Sequence, residues 1–253
     1  MSTISPLDNT SISKSFTAQH PLYPKGVNSK FSPDGVVQRF PGNTTLCHIP
    51  ADSPIQAGLQ AFYANLKCHP VLSKGIHILP PASWHMTVLD GIREIERDPR
   101  LWPVEMMSYS LTKCTDEFAR RLRQLGPELE QEDLGPPYRI HVRQLRGLTV
   151  GIGLDVEGAT VEEELRLRRL RDKIADAIGF RAPNHETYGL HITFAYLLRY
   201  LDVEEIKEVH KIYAQHLPAL QTECELGAVE FCTFETMHEF HRLFYLGEME
   251  PTL

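Results

Sequence analysis

The stretch GLHITFAY, residues 189–196, decides the fold of this chain. It is typical of a buried strand, because apolar residues alternate with one imidazole and one hydroxyl group. Side chains two positions apart on a strand point to the same face. His191 and Thr193 therefore face one space, while the apolar side chains between them pack on the other side. A second stretch, SWHMTVL, repeats the pattern with His85 and Thr87. We predict two strands that each present a histidine and a threonine to one cleft.

The segments around the two motifs follow the same order. Each motif is preceded by a strand and by a helix with a Ser or Thr at its expected N-cap, and each is followed by another helix and further strands. Ser53 precedes His85 by 32 positions (85 − 53), and Thr160 precedes His191 by 31 (191 − 160). A repeat of this length indicates a duplicated structure. The predicted fold class is α+β, a duplicated two-lobed fold with antiparallel sheets lining a central cleft and helices packed outside.

The length of the chain, 253 residues, favours one bilobal domain over two large domains. Residues 1–40 are expected to form an N-terminal arm, in which the turn SPDG closes a short hairpin. Residues 41–253 are expected to form the bilobal domain. Helices are predicted at residues 53–68, 115–125, 160–178 and 202–217, with an exposed connector at residues 128–137 and with Pro218 ending the last helix.

Composition and charge narrow the classes of function. A net charge of −7 without a basic tail or stripe argues against extended binding of duplex DNA or long RNA, whereas a short nucleotide substrate is compatible with it. Five cysteines without a C-x-x-C pair favour a reducing compartment. No signal peptide and no apolar run long enough to span a bilayer is visible. We therefore expect a cytoplasmic protein without a membrane partner, and entry into the nucleus is compatible with the sequence.

The tripeptide His-x-Thr occurs three times, so its surroundings decide its meaning. The copy at His185 lacks apolar flanks, whereas those at His85 and His191 have them and occupy equivalent places in the repeat. The competing interpretation is a pair of core histidines satisfied by backbone groups. Cys114 and Cys232 lack the local motif of a nucleophilic cysteine. No histidine pair has the His-Glu-x-x-His spacing of a zinc site and no nucleotide-cofactor fingerprint is present, so we predict neither a metal nor a cofactor.

Two histidines and two threonines suit the cleavage of a phosphodiester. The reaction needs a base that deprotonates the attacking water and an acid that protonates the leaving oxygen, and imidazole serves both roles near neutral pH. One ring must be neutral and the other charged, so the rate should pass through a maximum with pH. Thr87 and Thr193 can donate hydrogen bonds to the phosphoryl oxygens. As a working hypothesis, His191 activates water and His85 protonates the leaving oxygen.

The motifs WHMTV and LHITF resemble those of the 2H phosphoesterase superfamily, the LigT-like and cyclic-phosphodiesterase-like proteins with duplicated halves. The segments FSPDG, PGNT and CHI are similar to the branch called domain of unknown function 1868. This resemblance covers about residues 43–246. It implies two lobes around a cleft and metal-independent cleavage of 2′,3′-cyclic phosphates or related RNA-end phosphodiesters. It also implies that Tyr196, five residues after the second histidine, lies near the phosphate. Strict alternation points Tyr196 away from the cleft, so this placement requires a bend in the strand.

Two other functions are open from the sequence. The same histidines could serve an RNA-end exonuclease or a 2′,5′-RNA ligase, for which Arg139, Arg143 and Arg146 would form a basic rim. A solvated strand face is the competing interpretation of these arginines. The chain could also be a nucleotide- or RNA-binding module without catalysis, although binding alone does not require two proton-transfer groups. The expected partner is in each case a small nucleotide or an RNA-end phosphodiester.

Overall fold

The computed structural model describes residues 21–248, in which ten strands and five α-helices alternate with short 3-10 turns. The strands are β1 (Lys25–Phe31), β2 (Gly42–His48), β3 (Ile76–Ile78), β4 (His85–Arg93), β5 (Tyr138–Leu145), β6 (Gly151–Gly158), β7 (His191–Leu197), β8 (Cys224–Leu226), β9 (Glu230–Thr236) and β10 (Glu239–Tyr245). The helices are α1 (Gln56–Cys68), α2 (Leu111–Arg123), α3 (Gly126–Gln131), α4 (Val161–Ile178) and α5 (Val203–Leu220).

Nine of the described strands form one antiparallel sheet. Its order is β10-β9-β2-β4-β7-β6-β5-β8, and β3 adds to β7 beside this path. The sheet is curled into a half-barrel, and the helices pack on its outside. The predicted α+β class, with antiparallel strands around a cleft and helices outside, is confirmed. The strands of the two lobes are continuous in this one sheet.

The duplicated halves meet at the centre of the sheet. The first half contains β2, α1 and β4, and the second contains β6, α4 and β7. β4 pairs with β7 through Met86 and Ile192, the middle residues of the two motifs, so a pseudo-two-fold axis passes between them. A later strand of each half crosses to the other half, since β5 pairs with β6 and β9 pairs with β2. This exchange joins both lobes into one core.

The apolar residues beside the two motifs face the helices. Trp84 packs edge to face on Phe194 with ring centroids 5.0 Å apart, and Phe62 of α1 packs on Phe194 at 5.4 Å. All three side chains are buried, and burial of one such ring stabilises a fold by about 1.5–3 kcal/mol. These contacts hold β4 and β7 on the core while the polar faces of both strands stay open. None of the helices within residues 21–248 has the length and apolarity needed to cross a bilayer.

Two helices begin where the sequence predicts. Thr160 accepts a hydrogen bond from the backbone N–H of Glu163 at the start of α4, and α4 ends at Gly179, whose φ of 72° suits glycine. Asp202 and Glu205 form a complete capping box at the start of α5. Short-range hydrogen bonding therefore sets these boundaries.

Two other helix predictions are wrong. Ser53 does not cap α1, whose N-cap is Ile55; the Ser53 hydroxyl lies 3.0 Å from Sγ of Cys224 instead. α5 continues two residues past Pro218. A proline there removes a single backbone hydrogen bond from the last turn, which the helix tolerates because it ends immediately afterwards.

The segment between the halves is also more helical than expected. α2 begins at Leu111, four residues before the predicted start, because the Ser110 hydroxyl accepts a hydrogen bond from the N–H of Lys113. Part of the predicted acidic connector forms α3, in which a proline occupies the first turn and Leu129 is buried. Burial of that leucine outweighs the acidic composition from which a loop was predicted.

The predicted N-terminal arm is described only from residue 21, and residues 1–20 lie outside the described part of the chain. Phe31 and Val37 pair across the SPDG turn, where Gly35 has a φ of 83°, so the predicted hairpin is present. The hairpin packs on the sheet through a small apolar cluster of buried residues. These residues are Phe31, Phe40, Leu79, Leu198, Phe234 and Met237.

Candidate active site

The two motifs lie side by side on neighbouring strands. Because Met86 pairs with Ile192 in antiparallel register, His85 lies opposite Thr193 and His191 lies opposite Thr87. Side chains of directly opposed residues share a face of the sheet. All four polar side chains line one cavity of about 350 Å³ on the concave side. The structure therefore brings together the two histidines and two threonines that the sequence singled out.

The two imidazole rings are anchored in the same way. Nδ1 of His85 donates to the carbonyl oxygen of Ser83 at 2.7 Å, and Nδ1 of His191 donates to the carbonyl oxygen of Gly189 at 2.8 Å. A carbonyl oxygen only accepts, so the proton is assigned to Nδ1 in both rings. Nε2 of either ring makes no hydrogen bond to any residue between 21 and 248. Each Nε2 can therefore accept a proton when its ring is neutral and donate one when its ring is charged.

The environment keeps both rings neutral. Burial lowers the pKa of His85 to about 4, against the opposing effect of the Ser83 carbonyl. Burial also lowers the pKa of His191, and the positive charge of Arg146 lowers it further. The carboxylate of Asp90 acts in the opposite direction on the pKa of both rings. A bound phosphate would act in the same direction as Asp90, because its negative charge favours the protonated rings.

A buried tyrosine and a buried arginine lie beside the motif residues. Tyr188 lines the cavity with its ring centroid 5.7 Å from that of His191, and the guanidinium of Arg171 lies 4.2 Å from the centroid of the Tyr188 ring. Arg171 also donates to the carbonyl oxygens of Val88 and His185. Burial raises the pKa of Tyr188 strongly, so its hydroxyl stays protonated. No local motif in the sequence marks Tyr188 or Arg171 as parts of the site.

A β-bulge turns Tyr196 into the cavity. Ala195 pairs with Ile152 but Thr193 pairs with Gly153, so Phe194 is an extra residue on β7. The bulge breaks the alternation and places the side chain of Tyr196 on the same face as Thr193. Tyr196 lines the cavity with the four motif residues. The bend that the family resemblance requires is therefore present.

The first motif has a bulge at the equivalent place. Leu89 pairs with Thr45 but Thr87 pairs with Leu46, so Val88 is an extra residue on β4. The bulge brings Asp90, five residues after His85, into the cavity, as the bulge on β7 brings in Tyr196. The sequence analysis missed Asp90. The repeat could have identified Asp90, because the position five residues after the motif histidine was considered for the second motif, where it is Tyr196, but not for the first.

Comparison with known proteins finds a related family for part of the chain. The family model 2H-phosphodiest, described as domain of unknown function (DUF1868), matches residues 30–147. Over these residues the chain is similar to this 2H phosphoesterase family. The matched part contains the first motif and ends before the second.

Two solved structures are similar to the chain. A conserved protein of unknown function from Agrobacterium tumefaciens str. C58 has 28% sequence identity and a TM-score of 0.73, over 91% of this chain and 96% of that one. A protein of Thermus thermophilus covers 83% of this chain and 99% of its own length at 14% identity, with a TM-score of 0.45. The search of curated proteins returned no significant match. The first of the two structures spans both duplicated halves of this chain.

The two halves of the candidate site differ in the strands that flank the motifs. His48 on β2 lies opposite His85, with the ring centroids 6.2 Å apart, and its Nδ1 lies 3.0 Å from the Glu230 carboxylate. Asp155 on β6 lies opposite His191 and pairs with Arg146 at 2.7 Å. The two histidines therefore have different neighbours despite their identical anchors.

The predicted basic rim forms only in part. Of the three arginines considered, Arg146 alone lines the cavity. Arg139 lies 3.8 Å from Glu223, and Arg143 lies 3.9 Å from Glu157. Surface carboxylates therefore pair with both arginines, which agrees with the competing interpretation of a solvated strand face.

Other groups in the described chain fit a metal or a nucleophile poorly. Asp172, His185 and Glu186 have ligand atoms within 4.8 Å of one another, outside the cavity that the motif histidines line. Arg181 lies 2.7 Å from Asp172 and 3.7 Å from Glu186, so a cation already neutralises both carboxylates. Burial raises the pKa of Cys232 to about 12, which disfavours the thiolate that a nucleophile needs.

Proposed function

We propose that the protein is a phosphodiesterase that cleaves a 2′,3′-cyclic phosphate, or a related nucleotide or RNA-end phosphodiester, by acid–base catalysis without a metal. One observation carries the proposal. His85 and His191, each anchored through Nδ1, lie with an unpartnered Nε2 in one cavity, on opposite sides of a pseudo-two-fold axis. In-line displacement at phosphorus needs a base on the side of the attacking oxygen and an acid on the side of the leaving oxygen. Two rings on opposite sides of such an axis can supply one group to each side of a bound phosphate, which supports the proposal.

In the proposed reaction, His191 is the base and His85 is the acid, as in the working hypothesis from the sequence. Nε2 of neutral His191 takes a proton from water as the water oxygen forms a bond to phosphorus. The bond from phosphorus to the leaving ribose oxygen breaks, and Nε2–H of charged His85 protonates that oxygen. The product is a phosphomonoester with a free ribose hydroxyl. His191 ends charged and His85 ends neutral. Before the next turnover His191 must release its proton to solvent and His85 must take one up.

The threonines and the substrate complete the electrostatics. The hydroxyls of Thr87 and Thr193 can donate to the non-bridging oxygens, whose charge the protein must stabilise in the transition state. His85 has a pKa of about 4 and must gain a proton when the anionic phosphate binds. Binding raises the pKa of the ring because a negative charge favours the imidazolium. Affinity for a phosphomonoester product should therefore increase as the pH falls from 8 to 6.

A panel of nucleoside 2′,3′-cyclic phosphates, assayed in the presence of EDTA, tests the proposal. We expect turnover by the native protein and its loss, by at least a hundredfold, in H85A and in H191A. H210A, which changes an exposed histidine outside the cavity, is the matched control and should keep the native rate. Near-native turnover by either cavity variant would contradict the dyad. Binding without turnover by the native protein would indicate a nucleotide-binding module instead.

A further inference from the structure

Lys30, in the hairpin that precedes the duplicated halves, contributes a positive charge to the cavity. Its Nζ donates to the Tyr196 hydroxyl at 2.9 Å, and it lies 4.4 Å from the centroid of the Tyr196 ring and 5.2 Å from that of Phe40. No carboxylate within residues 21–248 pairs with it. A half-buried ammonium group without a counter-charge is an unfavourable arrangement that a bound anion would relieve.

The Tyr196 hydroxyl can also donate a hydrogen bond to an anion. Its oxygen accepts from Lys30, and its own proton points to Sδ of Met237 at 3.7 Å. A thioether is a weak acceptor, so exchanging it for a phosphate oxygen would strengthen the hydrogen bond. The bulge at Phe194 is what aims this side chain into the cavity. Lys30 and Tyr196 therefore present two adjacent donors to the same space.

These donors lie apart from the phosphate that the threonines would hold. Tyr196 is three residues beyond Thr193 along β7, a rise of roughly 10 Å. The opposite end of the cavity contains a carboxylate, Asp90, in the position equivalent to Tyr196. The guanidinium of Arg93 lies 3.7 Å from Asp90, so this carboxylate already has a cationic partner, whereas Lys30 at the other end has no carboxylate partner within residues 21–248. A substrate with one charged end would bind in one orientation.

We propose that Lys30 and Tyr196 form a second anion subsite, and that the substrate is a phosphodiester carrying a further phosphate at this end. The proposal rests on the phosphodiesterase function proposed above for the same cavity. The further phosphate is either the 5′-phosphate of the same nucleoside or the next phosphate of a nucleotide chain. Both present the same anionic oxygens to the ammonium and hydroxyl groups.

Calorimetric binding of three product-like probes tests the subsite without depending on turnover. The probes are adenosine 3′-monophosphate, adenosine 3′,5′-bisphosphate and the dinucleotide adenylyl-adenosine 3′-phosphate, which lacks a 5′-phosphate. The native protein should bind at least one of the two probes with a further phosphate on the order of 10- to 100-fold more tightly than the monophosphate. K30M should remove this preference, and K30R should retain part of it. Circular dichroism and thermal melting check that each variant is folded.

K67M is the matched control, because Lys67 also lies over an aromatic ring, 5.5 Å from the centroid of Tyr63, but outside the cavity. It should keep the native preference. Tighter binding of the bisphosphate indicates that the subsite takes the 5′-phosphate, and tighter binding of the dinucleotide indicates that it takes the chain phosphate. Either result supports the subsite. Equal weakening of all probes in K30M, no preference in the native protein, or no binding at all would overturn it. A Lys30-dependent preference without turnover of cyclic phosphates would reject the proposed reaction and leave the subsite standing.

Discussion

Acidification should destabilise the protein through His85. Its pKa is about 4 in the folded protein and 6.5 in the unfolded chain. Between these values the unfolded chain binds a proton that the folded protein does not, so the free energy of unfolding falls as the pH falls below 6.5 and the loss is complete below about 4. At pH 5, about 1.5 pH units below the unfolded value, the loss from this ring is about 2 kcal/mol. The ring is partly exposed at the cavity wall, which makes this figure an upper value.

Urea unfolding at pH 7 and pH 5 measures the effect. The variant H85Q cannot take up a proton but keeps a side-chain N–H that can donate to the carbonyl of Ser83. Other titrating groups contribute equally in both proteins, so the native protein should lose up to about 2 kcal/mol more than H85Q between the two pH values. H210Q, at an exposed position outside the cavity, should behave like the native protein. If H85Q loses as much stability as the native protein, burial does not depress the pKa of this ring and the neutral state assigned to it is wrong.

Three further outcomes can be measured on the same protein. T87A and T193A should each lower kcat ten- to a thousandfold with little loss of stability, because each removes one donor to the phosphoryl oxygens; unchanged steady-state rates would show that the hydroxyls do not contact the phosphate. D90N should shift the pH optimum of turnover downward, since the carboxylate raises the pKa of both histidines, and a pH–rate profile identical to the native one would contradict this coupling. G153A should lower the free energy of unfolding by about 1–3 kcal/mol, because its Cβ would lie 2.5 Å from a backbone oxygen of β7. G227A is the control and should lower it much less, because no heavy atom lies within 4 Å of its Cβ. Equal urea midpoints for the two variants would contradict the close approach at Gly153.

Local sequence patterns were sufficient for the overall architecture. The alternation around His85 and His191 identified the two strands, and the caps at Thr160 and Asp202 located two helices, because strand faces and N-caps depend on residues a few positions apart. The nearly equal spacing within the halves predicted the duplication, and a symmetric pair of strands then brings the motifs to one cavity. The failed cap at Ser53 shows the limit of such patterns, since its hydroxyl is engaged by a residue 171 positions away.

The tertiary structure decided which other side chains join the site. The bulges that turn Asp90 and Tyr196 into the cavity are shifts of register between paired strands, and no single strand specifies its partner's register. Lys30 reaches Tyr196 across 166 positions of sequence. The pKa of about 4 at His85 likewise comes from burial by distant segments. The sequence by itself thus determined the two strands and their polar residues. Strand pairing and burial arise only when remote segments meet, and they determined which charged side chains line the cavity and the protonation of its histidines.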